Sequence, residues 1–333
     1  MKALMSTQVG GSDSLEMLEV DNPVAGKGQV VIDVKACSIN YPDILIIQDM
    51  YQFKPPRPFA PGGEVSGVIA EVGEGVTGLK RGDRVASPTG HGGLAEKVAV
   101  DHNSVFKIPD SVSFEDASAL LLTYGTSIHA LVDRGHIKEG DTLLVLGASG
   151  GVGIAAVELG KAFGARVVAA VSSDEKAAFA KAAGADETVV YERAPFDKDQ
   201  SKALAARFKA AVGPNGADII YDAVGGDYSE PAVRSIAWEG RFLVVGFPAG
   251  IAKLPLNLTL LKSCDVCGVF WGAYAMRDPA GNRSHINRLF KLWGQGMIQP
   301  RVSEVFDFAD AGKAIQKMAD RGAMGKLVVK VAD

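Results

Sequence analysis

From about residue 116 onward the apolar positions follow two alternating patterns. Short apolar runs such as TLLVL (142–146), RVVAAV (166–171) and the IIY within ADIIYD (217–222) alternate with stretches whose apolar residues recur every three or four positions. Short continuous apolar runs predict strands buried on both faces, and the longer period predicts helices between them. Strands are therefore expected at 142–146, 166–171, 187–190, 217–222 and 241–246, with helices at 151–163, 174–183, 197–212 and 228–237. Strict strand–helix alternation implies a doubly wound parallel sheet. A further strand, CDVCGVFWG (264–272), and a helix from Ser284 to about Gln295 extend the series.

Before residue 120 the pattern changes. Alternating runs such as GQVVIDVKACSI, EVSGVIAEVG and DRVASP are divided by Gly, Pro and Asp turns, which predicts a compact β-barrel. The chain is thus expected to be α/β with two domains: residues 1–119 together with 277–333, and residues 120–276. A cleft between them, outside the carboxyl ends of the parallel strands, is the expected ligand site.

Candidate chemistry enters at the turn after 142–146. There Ala148-Ser149-Gly150-Gly151-Val152-Gly153 has the spacing A-x-G-x-x-G, one glycine short of the usual dinucleotide fingerprint. Gly150 would let backbone approach a pyrophosphate, and Gly153 would let the helix pack closely on the strand. The helix start adds favourable N–H groups and a positive dipole end. The next strand ends in Val171-Ser172-Ser173-Asp174-Glu175-Lys176, without the acid that would accept a ribose 2′-hydroxyl. Two hydroxyls and an ammonium there favour a 2′-phosphate, hence NADPH. The alternative is that Ser173 only caps the following helix and Lys176 is a solvated charge.

Composition narrows the class. Lys and Arg are scattered and the formal charge is −4, so there is no footprint for nucleic acid. No apolar run is long enough to span a bilayer and the N-terminal segment lacks a signal-peptide core, so a cytoplasmic protein is expected. The three cysteines, Cys37, Cys264 and Cys267, are too few for a disulfide framework, and Cys264 and Cys267 are expected to pack in the core.

Other segments carry a family resemblance. Asn40-Tyr41-Pro42-Asp43, Tyr51, Lys54-Pro55-Pro56-Arg57-Pro58-Phe59-Ala60-Pro61-Gly62-Gly63-Glu64, Gly67-Val68-Ile69, Val72-Gly73 and Gly82-Asp83-Arg84-Val85 resemble the zinc-independent medium-chain dehydrogenase/reductases. The resemblance extends through ASGGVG, DAVGG (222–226), GRFLVVG (240–246) and GKLVV (325–329). It points to the NADPH:quinone oxidoreductase branch, which includes zeta-crystallin. It implies a GroES-like barrel beside a Rossmann cofactor domain. It also implies an acceptor pocket around Asn40, Tyr41 and Tyr51, with Thr123 near the nicotinamide. Cofactor contacts are implied at Asp43, Ala148, Ser149, Gly150, Gly151, Val152, Ser172, Ser173, Lys176, Tyr191, Val224, Gly246, Phe247, Phe270, Trp271, Gly272 and Arg321, where Lys176, Tyr191 and Arg321 match positions around the 2′-phosphate. By the same reading Asp43 could cap a helix, and Trp271 could be core or a dimer contact.

The family's zinc enzymes hold their metal through a Cys and a His at positions that here read Asn40 and Gly63. Neither replaces a thiolate or imidazole, so no metal is expected. Without a Lewis acid, hydride delivery to an already activated acceptor is favoured over oxidation of a plain alcohol. The expected acceptor is a quinone; an enone or enoyl thioester is the alternative, as is a non-catalytic NADPH-binding role. The apolar strand near 266–272 is expected to pair with its twin in a homodimer.

Overall fold

The computed structural model describes residues 1–332. The chain divides into two compact units, Met1–Leu122 with Pro300–Asp333, and Thr123–Gln299. The second boundary corrects the sequence reading, which returned the chain to the first unit at 277. The helix Pro279–Gly294 stays with the second unit because the Trp271 indole, buried there, donates to Asn282 on that helix at 2.9 Å.

In the first unit, Gln29–Ile39 is long enough to serve three neighbours. It pairs antiparallel with Glu64–Val72 along most of its length, with Lys97–Asp101 at its start and with Lys326–Lys330 at its end. Arg84–Pro88 and Phe106–Lys107 extend one side, and Val302–Asp307 joins the other in a parallel pair with Lys326–Lys330. Side chains along Gln29–Ile39, including Val30, Ile32, Val34, Cys37 and Ile39, enter a core with Val65, Ile69, Leu94 and Leu327. The barrel-like segment is less purely β than its pattern suggested: it also holds the helices Tyr41–Ile47 and Phe114–Ser118.

The second unit is the doubly wound sheet. Six parallel strands run in the order Glu187–Val190, Arg166–Val171, Thr142–Leu146, Ala217–Asp222, Ile236–Val244, Asp265–Gly268. The direction of winding reverses between Thr142–Leu146 and Ala217–Asp222, and such a reversal opens a crevice at the carboxyl ends of the two strands. Leu144, Leu146, Val168, Ala170, Ile220 and Phe242 are completely buried between the flanking helices, which is why these runs read as continuously apolar.

Four expected elements are redrawn, the first being the strand placed at 241–246, which spans Ile236–Val244. The helix placed at 228–237 spans only Ser229–Val233, because Ile236 is already paired with Ala217 as the next strand begins. The strand expected across 264–272 ends at Gly268, and Trp271 opens the helix Trp271–Arg277. The helix expected from Ser284 begins at Pro279, behind an Asp278 N-cap that accepts from Gly281 N–H. Asp followed by Pro at the first helical position is a start signal that apolar periodicity alone passes over.

Candidate active site

The dinucleotide half is built on the second unit. Strand Thr142–Leu146 ends at Gly147, whose φ of +70° turns the chain into the helix Gly151–Ala162. A Cβ at Gly147 would lie 2.8 Å from Val224 Cγ2, and one at Gly153 only 2.1 Å from the Gly147 carbonyl oxygen. Gly147 and Gly153 therefore clamp strand and helix together. Gly150 differs, since its nearest neighbour would be 3.6 Å away, which leaves room on the helix-start side. The fingerprint's first position is Ala148, as the sequence reads, and the tight turn is made one position earlier by Gly147. Ala148, Ser149, Gly150, Gly151 and Val152 form the turn and first helical residues as expected, with Ser149 nearly buried.

Asp222 ends the neighbouring strand and accepts from the N–H groups of Val224 and Gly225 at 2.9 and 2.8 Å and from the Ser229 hydroxyl. Burial pushes this carboxyl above its ordinary range, and the three donors oppose that shift. Val224 is thus held against Gly147 by a residue the sequence reading had not singled out.

At the end of Arg166–Val171, Lys176 Nζ donates to Ser172 Oγ at 3.4 Å, while Ser173 caps its helix by accepting from Lys176 N–H at 3.3 Å. Tyr191 is bonded to the same strand end through Val171 O at 2.8 Å and tilts against the Tyr228 ring at 4.7 Å. Ser172, Ser173, Lys176 and Tyr191 are therefore brought together. Gly246 follows its strand and donates to the Asp222 carbonyl, and Phe247 and Phe270 are about half exposed. Trp271 has its indole packed over Gly125, so only its backbone remains for a ligand; Gly272 follows it in the helix. Thr123 is buried at the start of this unit. Arg321 belongs to the first unit, in a left-handed turn (φ +59°) after the helix Ala311–Ala319.

The first unit holds a buried polar cluster. Asn40 N-caps Tyr41–Ile47, and Asp43 accepts from Asn40 N–H at 2.7 Å and Gly62 N–H at 3.0 Å. The Asn40 side chain donates to Ser38 and accepts from Lys326 Nζ. Glu64 accepts from Ser38 Oγ at 2.9 Å and Leu122 N–H at 3.0 Å, and lies 3.7 Å from Lys326 Nζ. Lys326 and Glu64 are 1% and 0% exposed. Burial lowers the Lys326 ammonium and raises Glu64, with each partner's charge working against the shift. Asp43 is pushed up to about 6, chiefly by burial.

Two of the candidate residues lie inside this cluster. Asn40 is 3% exposed, with its amide engaged by Ser38 and Lys326. Asp43, expected among the cofactor contacts, is a buried helix-capping carboxylate. Tyr51 keeps its candidacy. It packs against the barrel core while remaining partly exposed, and burial together with the Asp43 charge holds its phenol above the usual value, so it stays protonated. Tyr41 is 38% exposed on the first turn of its helix. Lys326 and Glu64 carried no sequence signal as a pair. Among the described residues no group of three or more His, Cys, Asp or Glu side chains could hold a metal ion.

A turn-and-helix clamp on a doubly wound sheet, joined in one chain to a mainly antiparallel sheet of this kind, defines a two-domain dehydrogenase. Residues 26–110 match the alcohol dehydrogenase GroES-like domain, and residues 151–283 match the family described as zinc-binding dehydrogenase. Quinone oxidoreductase-like protein 2 of Rattus norvegicus is 37% identical over 319 residues, covering 95% of this chain and 89% of the relative. The quinone oxidoreductase of Thermus thermophilus, solved also in complex with NADPH, superposes with a TM-score of 0.83 at 32% identity, covering 99% of this chain and 100% of that one. A mycobacterial protein complexed with NADPH gives 0.92 at 28%, with the same coverage. The chain belongs to the medium-chain dehydrogenase/reductases, in their quinone oxidoreductase branch.

Proposed function

We propose that the chain is an NADPH-dependent reductase that passes hydride to a quinone without zinc. The observation that carries this reading is the partly exposed Tyr51 phenol, held protonated by burial and the Asp43 charge, in a unit where the resemblance's metal-ligand position is an amide, Asn40, locked to Lys326. NADPH, when bound, supplies the hydride. The chain's own residues do the rest. The N–H groups at the start of Gly151–Ala162 receive the pyrophosphate, and Ser172 and Lys176 receive the 2′-phosphate. Tyr51 donates a hydrogen bond to the acceptor oxygen, stabilises the developing oxyanion and supplies its proton. Asn40 and Asp43 position the helix and loop beside it.

Oxidation of NADPH by the chelator-treated protein against quinones, enones and enoyl thioesters tests the reading. Quinone turnover supports it, turnover confined to enones or enoyl thioesters moves the protein to double-bond reduction, and silence throughout favours a binding role. Tyr51→Phe is expected to slow single-turnover hydride transfer by about tenfold, equivalent to ~1.4 kcal/mol. An unchanged rate removes Tyr51 from the chemistry.

Lys176→Ala is expected to weaken NADPH by about tenfold or more while leaving NADH within about twofold, since only NADPH carries the 2′-phosphate. Equal losses for both would show that the ammonium serves the fold. Arg321→Ala is the parallel test for the residue that the resemblance alone assigns.

We further infer a cytoplasmic homodimer. No helix among the described residues is long and apolar enough to cross a membrane, and the three cysteines are free. Asp265–Gly268 is an edge strand carrying exposed Val266, and Leu256, Leu260 and Leu261 of the helix Leu256–Lys262 just before it are also exposed. Such an edge favours pairing with a second copy. Light scattering at micromolar protein is expected to give twice the monomer mass, and Val266→Lys to shift it toward the monomer. A wild-type monomer would overturn the inference.

A further inference from the structure

Two residues beyond Tyr51 in the chain, Phe53 begins a file of planar groups in the first unit to which the steps above assign no role. Phe53 stacks face to face on His91, with ring centroids 5.8 Å apart and planes 7° from parallel. His91 in turn meets the Phe59 ring at 5.9 Å, and the Arg57 guanidinium covers Phe59 at 5.4 Å. The inner end is fixed: Arg57 donates to Asp49 Oδ1 at 2.7 Å and to the Ile47 carbonyl at 2.8 Å, and Phe59 is 5% exposed. The outer end is open, with Phe53 54% exposed.

The file is tied to the polar cluster through backbone. The loop bearing His91 is bonded to 60–63 by Gly90 N–H to the Gly63 carbonyl, Gly92 N–H to Ala60 and Gly93 N–H to Gly62. Gly62 N–H also donates to Asp43. One stretch of main chain thus sets both the imidazole plane and the carboxylate whose charge acts on Tyr51. Burial lowers His91, so at neutral pH the ring is an uncharged aromatic surface. His91 covers one face of the Phe53 ring while about half the side chain stays open to water, where an offset-stacked partner of matching shape would gain contact and desolvation.

We propose that Phe53, supported by His91, is the stacking platform for the planar ring of the acceptor and selects fused-ring quinones over acyclic enones. This deepens the quinone-reductase reading and rests on it.

The test measures, at saturating NADPH, the ratio of kcat/KM for a naphthoquinone to that for an acyclic enone. Phe53→Leu, which keeps apolar bulk and loses the planar face, is expected to lower the ratio about fivefold through KM for the quinone. Phe53→Trp is expected to restore it. An unchanged ratio in Phe53→Leu overturns the platform while leaving the quinone reading intact. If the wild-type protein does not reduce the naphthoquinone, that reading falls instead. The platform is then judged by calorimetric binding of anthraquinone-2-sulfonate to the NADP⁺-bound protein: weaker binding to Phe53→Leu supports it and equal binding overturns it.

Discussion

Replacing Lys326 by Met is expected to cost about 3–5 kcal/mol of folding stability, because it leaves the Glu64 charge buried without its counter-ion. Glu64 is fully inaccessible, and the donors left to it, Ser38 Oγ, the Asn40 amide and Leu122 N–H, are neutral. A loss of that size is a large part of a typical domain's total. Denaturant unfolding of the first unit's transition measures it. The double variant Lys326→Met/Glu64→Gln should recover much of the loss, since it removes the uncompensated charge. A single variant within about 1 kcal/mol of wild type would show that the pair is not held as described.

The same cluster sets a pH dependence. Asp43 titrates near 6 in the fold against an ordinary value of 3.8, with burial as the main cause. A carboxyl whose folded value is raised favours the fold in its protonated form. Its stabilisation is fully present below about 3.8 and is lost as pH rises through about 6. Lys326 lowers Asp43, so removing the ammonium should carry this loss to higher pH.

The strands of the second unit could be read from sequence because each is an apolar run of its own. Four of the expected strands, 142–146, 166–171, 187–190 and 217–222, coincide with the observed ones. The elements near Trp271 could not be read so well. An apolar run there splits between an edge strand and a helix, and the choice depends on a tertiary bond from the indole to Asn282. The polar cluster was out of reach for a different reason. Asn40 and Lys326 are 286 positions apart, and no local period reports such a pair. Asn40 and Asp43 were visible as residue types, but polar side chains in a turn read alike whether they face a ligand or cap a helix; burial decided for the cap. Gly147 escaped notice because the expected spacing was anchored on Gly150 and Gly153, whereas positive φ identifies the turning glycine directly.

Gly153→Ala is expected to abolish tight NADPH binding, by about a hundredfold or more, and to lower the melting temperature of the second unit. Its Cβ would sit 2.1 Å from the Gly147 carbonyl oxygen and 2.9 Å from Ala148 Cα, both backbone atoms that cannot rotate away. The helix Gly151–Ala162 would have to move off its strand, taking with it the N–H groups that receive the pyrophosphate. Gly150→Ala separates the two effects. Its Cβ would meet nothing in the chain closer than 3.6 Å, so the fold should tolerate it, and any loss of affinity arises where the added methyl meets the dinucleotide. Fluorescence titration with NADPH alongside thermal melts reads both quantities. If Gly150→Ala binds as the wild type does, the pyrophosphate does not cross this turn. If Gly153→Ala binds within about threefold of wild type, the helix is not seated against Gly147, and the clamp on which the dinucleotide half depends is lost with it.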